Sequence, residues 1–323
     1  MAKLAVVFGG SGFLGRNVVR ELARRGWRVR VAVRRPHHAQ FLRTMGHVGQ
    51  IQLLQTNIRY RDGVAEALRG ADAAINLVGV LHQSGAQSFL AVHALAAGAI
   101  AELAAQAGTD RLVHVSAIGA EEASRSRYAR TKAEGERLVR AAFPAATIMR
   151  PSIIFGPEDS FFNRFAAMLA PVPSFAPVPI LLGGGAAKFQ PVYVDDVADA
   201  IARALDDPAS AGKTYELGGP RIYSFKELLR LLLETIGRKR LLAPVPFVIA
   251  PVMGLIGETL GALPFFSPPI TRDQIRQLKR DNVVGAGVST FADLGIAPKS
   301  VESILPTYMV RFRKYGQFAE LPA

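Results

Sequence analysis

The sequence predicts an α/β fold, a doubly wound parallel sheet with a smaller, mainly helical C-terminal lobe. Three observations predict it. A short apolar run, Leu4 to Phe8, breaks at Gly9 and Gly10 and gives way to an amphipathic helix pattern near Leu14. Gly9, Gly12 and Gly15 cross that break at the G-x-x-G-x-x-G spacing. Through the first half of the chain, strand-like and helix-like stretches alternate, the order of a parallel sheet covered on both faces.

In a strand-turn-helix unit, Gly9 permits the tight turn and Gly12 lets backbone approach a pyrophosphate. Gly15 lets the helix lie close on the strand. Phe13 and Leu14 open the helix, and free N–H groups at a helix start face phosphates. The motif at this place predicts a Rossmann-type nucleotide domain. The first helix runs to about Arg25, and Arg28 to Val33 is the second strand. It ends in Arg34 and Arg35, where an NAD site carries an acid for the ribose 2′-OH. Arginine instead suits a 2′-phosphate, which favours NADP(H); the alternative is two solvated arginines at a loop edge.

Ile51 to Gln55 is the third strand, followed by Thr56-Asn57-Ile58. Ala73 to Leu77 is the fourth and leads into Val78-Gly79. Asn57 is placed to bond an adenine and Gly79 to let backbone approach a cofactor; either is equally well a turn residue. Phe89 to Ala107 is a crossover helix. His82 and His93 share no metal-like spacing with other ligands and read as ordinary polar or packing residues, so no metal site is expected. Arg111 to Val115 is the fifth strand, ending at Ser116. The next helix carries Tyr128 and Lys132 one turn apart on one face. A lysine ammonium and a positive nicotinamide nearby would lower the tyrosine pKa and make it a proton donor or acceptor near neutrality.

The second half is less regular. Pro171 to Pro179 reads as a loop, Gly183 to Gly185 as a turn and Lys188 to Val192 as strand-like. Asp195 or Asp196 would cap a helix reaching Leu205. Thr214 to Leu217 is a strand, and Ser224-x-x-Glu227 is a capping box opening a helix to about Ile236. After Arg238-Lys239-Arg240 comes a long apolar run, Pro244 to Pro269, interrupted by Pro251, Glu258 and Pro264. It offers no clean membrane span. Two readings stay open: a packed helical lobe, or apolar surface resting on a bilayer or a partner.

These pieces together resemble the short-chain dehydrogenase/reductase superfamily, in its extended or atypical branch. The resemblance rests on GGSGFLG (Gly9 to Gly15), Asn57-Ile58, the Tyr128/Lys132 pair, RPSIIFGPED (Arg150 to Asp159) and FQPVYVDDVADAI (Phe189 to Ile201). It implies a nucleotide domain over 1–155, re-entered by 186–217, with 156–185 and 218–323 forming the smaller lobe. It also implies that Lys132 holds the nicotinamide ribose and that Pro151, Ile153, Ile154 and Phe155 border the nicotinamide. Active members carry a further hydroxyl just beyond strand five. Here Ala117 and Ile118 follow Ser116, and the missing donor is worth roughly 3 kcal/mol of oxyanion stabilisation. Ser124 and Ser126 lie off that pattern.

The tail, PPITRDQIRQLKRDNVV (Pro268 to Val284) and FADLGIAPKSVESILPTYMVRFRKYGQF (Phe291 to Phe318), is similar to that of the dehydrogenase-like accessory subunits of respiratory complex I. HVSAIGA, His114 to Ala120, resembles them too. This implies a subunit that keeps NADPH as a structural element beside the quinone site, at the junction of the peripheral and membrane arms, without turnover. Two other functions are weighed against it. One is an active NADPH-dependent reductase or epimerase with Tyr128 as acid–base, Lys132 as ribose anchor and Ser116 as substrate-oxygen donor. The other is an NADP(H)-sensing regulatory protein.

The 323 residues carry 39 Lys and Arg against 26 Asp and Glu, a formal charge of +13, and no cysteine. Disulfides, thiolate metal sites and cysteine nucleophiles are thereby excluded. The basic residues are scattered, with no long Lys/Arg block, zinc pattern or aromatic RNA-binding motif, which disfavours nucleic acid. Arg311, Arg313 and Lys314 would meet phosphate headgroups or acidic protein, or simply form a solvated face. The apolar run at the N-terminus is too short for a signal peptide. The expected location is peripheral, on the cytoplasmic face of a bacterial inner membrane, against complex I core subunits and anionic lipid headgroups.

Overall fold

The computed structural model describes residues 2–81, 83, 85, 87–171, 177–245, 273, 276 and 280–318. In chain order, the first stretch runs β1 (Leu4–Phe8), α1 (Phe13–Arg24), β2 (Arg28–Val33), a 3-10 helix (Pro36–Met45), β3 (Ile51–Gln55), α2 (Arg61–Leu68) and β4 (Ala73–Asn76). Next come a π-helix (Leu90–Leu95), α3 (Ala96–Gln106), β5 (Arg111–Val115), α4 (Arg127–Ala142) and β6 (Thr147–Pro151). The remainder runs β7 (Ile154–Phe155), α5 (Phe162–Leu169), β8 (Pro177–Leu182), β9 (Lys188–Phe189), β10 (Val192–Tyr193), α6 (Val194–Asp206), β11 (Thr214–Leu217), β12 (Tyr223–Ser224), α7 (Phe225–Thr235), β13 (Leu241–Val245) and α8 (Val301–Tyr308).

The chain divides into two compact units. The first comprises Met1–Pro151, Val194–Leu217 and Val284–Ala297. Its seven strands form one sheet in the order β3-β2-β1-β4-β5-β6-β11. Every pairing in it is parallel. The order reverses direction beside β1, the topological switch point where α/β sheets take ligands at the carboxyl ends of their strands. Alternation along β1 feeds both faces. Val6 and Phe8 join a core with Val64, Leu68, Ile100, Ala104 and Val139 of α2, α3 and α4. On the other face, Val7 and Val31 meet Val19 of α1 about Gly10. Helix α1 buries Gly15, Val18, Val19, Leu22 and Ala23, a stripe at helical spacing, and packs along α6.

The second unit comprises Ser152–Tyr193, Gly218–Val283 and Pro298–Ala323. Its core gathers Phe155, Phe162, Phe189, Phe225, Leu228, Leu232 and Leu305 from α5, α7, α8 and short strands. Phe155 is fully buried there, edge-on to Phe162, so its ring has no exposed surface to offer a ligand. The capping box is present: Ser224 Oγ accepts from Glu227 N–H at 3.2 Å, and the Glu227 carboxylate accepts from Ser224 N–H at 2.6 Å.

Three expectations need correction. Pro177 to Pro179 open a strand, β8, paired in parallel with β13, where a loop was expected; 172–176 lie outside the described residues. The crossover helix is not uniform, because it starts as a π-helix. Asp195 and Asp196 lie inside the first turn of α6 instead of capping it; Asp195 accepts from Arg20 at 2.5 Å. No helix among the described residues is long and apolar enough to cross a membrane. The apolar run from 246 to 269 lies outside the described residues, as does His82.

Candidate functional site

The first unit presents its site where β1, β4 and β5 end. Gly9 takes φ +81, a left-handed turn that an L side chain rarely adopts. A Cβ on Gly15 would stand 2.3 Å from Gly9 O and 2.6 Å from Gly10 Cα, so only glycine lets the first turn of α1 close on the strand exit. Gly12 is the extended residue before Phe13, and no side chain caps the helix. The first-turn N–H groups of Phe13, Leu14 and Gly15 therefore lack a side-chain acceptor at the positive end of the helix dipole.

Arg34 and Arg35 follow β2 and are exposed, leading into the 3-10 helix that carries Phe41. The Arg16 guanidinium, from the first turns of α1, lies over the Phe41 ring at 4.8 Å. Past β3, the Asn57 side-chain oxygen accepts from Arg59 N–H at 3.2 Å, the local turn role. Ile58 is partly buried beside it, packed on the α2–α4 side of the core.

The buried polar chemistry lies deeper. Leu112, His114 and Ser116 alternate onto the sheet face covered by α3 and α4. His114 is fully buried. Its Nδ1 is 3.1 Å from Asn76 Nδ2, while Asn76 Oδ1 accepts from Val78 N–H at 3.1 Å. An amide whose oxygen is thus engaged donates through nitrogen, so His114 Nδ1 accepts and the ring proton sits on Nε2. That Nε2 is buried with no hydrogen-bond partner among the described residues, as is Ser116 Oγ. Ser116 itself is held at the strand end by its N–H to Met149 O at 2.7 Å.

Lys132 is 4% exposed, and its Nζ donates to Val115 O at 3.1 Å. Burial pulls its ammonium down to about 8, against a smaller upward pull from Glu136 one turn along α4. A Cβ on Gly79 would lie 3.5 Å from Lys132 Nζ and 3.8 Å from His93 Nε2, so the loop after β4 passes close over both. His93 ties the surroundings together. Its Nε2 accepts from Val80 N–H at 3.0 Å, which leaves the ring proton on Nδ1 to reach Thr131 Oγ1 at 3.2 Å. Thr131 Oγ1 also bonds back to the Tyr128 carbonyl at 3.0 Å. The imidazole stacks on Phe89 and meets the Tyr128 ring edge-on at 5.2 Å. Burial and the Lys132 charge push both imidazoles to about 3, so both stay neutral near pH 7.

Tyr128 departs from expectation. Its phenol is pushed up to about 12, not down, because burial against Phe89 and His93 outweighs any help from Lys132, whose ammonium is turned to Val115 O. Ser126 caps α4 by accepting from Ala129 N–H, which fixes where Tyr128 and Lys132 emerge. Beneath them, Arg150 holds Glu136 bidentately at 2.9 and 2.6 Å and reaches Glu216 at 3.4 Å. Pro151, at the end of β6, accepts from Ile118 N–H at 3.1 Å. In the second unit Ile153 and Ile154 are partly buried, Ile153 accepting from Val192 N–H and Ile154 pairing with Val192.

Sequence reasoning passed over Asn76, His114 and Thr131. The available signal was a polar side chain at the last position of AAIN and at the fourth of RLVHV, both otherwise apolar strand cores.

Comparison with known proteins adds what geometry does not decide. The model of the NAD dependent epimerase/dehydratase family matches residues 5–218. The chain belongs to this family. Within it, the chain is 37% identical over 325 residues to "NADH dehydrogenase [ubiquinone] 1 alpha subcomplex subunit 9, mitochondrial" of Arabidopsis thaliana, covering 97% of this chain and 79% of that one. It is 32% identical over 320 residues to the "NADH-ubiquinone oxidoreductase 40 kDa subunit, mitochondrial" of Neurospora crassa, covering 99% and 82%. Among solved structures, the dTDP-glucose 4,6-dehydratase DesIV of Streptomyces venezuelae, with NAD and TYD bound, superposes with a TM-score of 0.70 over 96% of each chain at 22% identity. That likeness shows the fold. Membership makes this an epimerase/dehydratase-family nucleotide domain of the short-chain dehydrogenase type, binding a nicotinamide dinucleotide.

Proposed function

We propose that this chain is a non-catalytic accessory subunit of respiratory complex I that retains NADPH as part of its architecture. The observation that carries the proposal is 37% and 32% identity, over nearly the whole of this chain, to two proteins named as subunits of NADH:ubiquinone oxidoreductase. The residues of the first unit fit the nucleotide. The uncapped start of α1 behind Gly9, Gly12 and Gly15 would receive the pyrophosphate, with Phe13 and Leu14 supplying N–H groups. Arg34 and Arg35 would meet the 2′-phosphate, and Asn57 and Ile58 the adenine side. Val78 and Gly79 would flank the nicotinamide ribose held by Lys132, whose ammonium has donors to spare. Ser116 Oγ and Tyr128 would complete that end. Bound NADPH supplies a hydride; in this role the protein uses the binding free energy instead, as folding free energy. The subunit would sit peripherally on the cytoplasmic face of a bacterial inner membrane, beside the core subunits near the quinone site.

Purification of the native protein from membranes tests this. Co-migration with the quinone-reducing complex, and NADPH released on denaturation, is the expected result. Arg34→Ala removes a charge-assisted contact worth about 1.5–3 kcal/mol, so NADPH affinity should fall roughly 10–100-fold. Gly12→Val should empty the site and reduce assembly. Normal assembly with an empty site would overturn the architectural role.

One observation favours an active reductase: the Ser116 hydroxyl is buried without a partner among the described residues, as a substrate-oxygen donor would be. Substrate-dependent loss of nicotinamide absorbance that disappears in Tyr128→Phe would decide for it.

A further inference from the structure

The second unit carries the C-terminal cations Arg313 and Lys314, for which the sequence leaves phosphate headgroups, acidic protein and bare solvent all open. Helix α7 ends at Thr235, and Arg238, Lys239 and Arg240 follow within one turn. Arg240 is spent locally: its guanidinium donates to Leu169 O and Ala170 O at 2.9 and 3.0 Å, closing the C-terminus of α5. Arg238 and Lys239 remain, the latter exposed. The C-terminal turns return to the same place, because Arg313 donates to Thr235 O at 3.3 Å. They bring Lys314, stacked over Tyr315 at 5.1 Å, and then Phe318. Tyr315 is 64% exposed and Phe318 83%, unusual for large aromatic side chains with a core available. Neither 235–245 nor 309–318 contains an acidic residue; Glu234 stands one position before the first stretch and Glu320 two positions after the second.

We propose that this face, built on Arg238, Lys239, Arg313, Lys314, Tyr315 and Phe318, docks on the surface of an anionic phospholipid bilayer. Cations alone would fit any acidic partner. Exposed aromatic rings close behind Lys314 in the chain fit an interface that is phosphate-rich above and apolar below, where a ring enters the acyl boundary and a cation stays with the headgroups. The composition of the neighbouring chain agrees: from Leu241 to Ile270 the only charged residue is Glu258. The proposal rests on the membrane-complex reading above and names the surface that reading leaves open.

The test is co-sedimentation of the full chain with vesicles of phosphatidylcholine alone and of phosphatidylcholine with phosphatidylglycerol. Binding is expected only with phosphatidylglycerol, and it should weaken as salt rises. Arg313→Gln with Lys314→Gln should lower partitioning about 25-fold, from about fivefold per cation. Tyr315→Ala with Phe318→Ala should lower it in a manner insensitive to salt. Dinucleotide binding and thermal midpoint, unchanged in these variants, control for folding. Equal binding to both vesicles, or unaltered binding by the charge variant, overturns the proposal. So does a charge variant that keeps its vesicle binding but no longer co-purifies with complex I, since the face would then be a protein dock. Wild-type chain that binds vesicles but never co-migrates with complex I would sink the complex I reading and leave this one standing.

Discussion

Lys132 and His93 set opposite demands on the same few cubic ångströms. Lys132 is an ammonium held in a place that disfavours charge. Its folded pKa, about 8, lies below the ordinary 10.5. Between those values the unfolded chain binds more protons than the folded one, so stability of the nucleotide-free protein should rise from pH 8 to 10.5. Below pH 8 the cost is fully present, up to roughly 3 kcal/mol. Lys132→Met should therefore raise the melting temperature of the nucleotide-free protein while dinucleotide affinity falls, a pair of signs that calorimetry and titration read separately. The imidazoles work the other way. His93 and His114 titrate near 3 when folded and near 6.5 when unfolded, so stability is intact above 6.5 and drains away as pH falls toward 3. In His93→Gln the amide oxygen still reaches Val80 N–H, whereas His93→Leu leaves that N–H without its acceptor. The first should keep dinucleotide affinity within a few-fold, and the second should lose about 1–3 kcal/mol of stability. His93 reads from sequence as an ordinary packing residue, and it is buried as such a residue would be. What the sequence hides is its two directional bonds, because they depend on which residue of a neighbouring helix stands opposite.

At the level of elements, the parallel strands were legible because burial on both faces turns them into short apolar runs bounded by glycine, arginine or asparagine. Strands Leu4–Phe8, Arg28–Val33, Ile51–Gln55, Arg111–Val115 and Thr214–Leu217 appear at the residues expected. The π-helix was not legible: its wider turn shifts the side-chain phase without any residue type that announces it. Nor was β8, since Pro177 and Pro179 argue against a strand until a partner such as β13 accepts an edge position. The glycine cradle was legible from spacing, but a second close approach was not. Gly135 of α4 lies so near the π-helix that a Cβ would stand 2.0 Å from His93 O. Gly135→Ala should force the two helices apart, cost about 1–3 kcal/mol and weaken dinucleotide binding with it, measured by denaturant unfolding and titration. Gly119→Ala, in open space but at φ +83, should cost backbone strain while leaving binding alone.

At the level of the whole molecule, a family match over residues 5–218 makes a nicotinamide dinucleotide the expected ligand, and the architectural role proposed above turns on its retention. A ligand that binds only the folded chain at a hundredfold excess over its Kd adds about 2.7 kcal/mol. NADPH should accordingly raise the melting temperature by several degrees more than NADH at equal concentration, and Arg34→Ala with Arg35→Ala should erase the difference. The expectation of that preference comes from two adjacent arginines in the sequence; no spacing rule could have indicated the Ser116 hydroxyl, unpartnered among the described residues, whose isolation depends on where Met149 and α4 lie.

The first unit is completed late in biosynthesis. Strand β11 pairs with β6, and its Glu216 stands between Arg150 and Gly285 N–H, the latter at 2.9 Å, while Glu216 N–H reaches Ser289 O. A ribosome that has delivered all seven strands has still not delivered the loop that finishes this carboxylate's coordination. A nonsense codon just after 283 would therefore leave the glycine motif untouched and yet unsettle Arg150, at the far end of the same sheet.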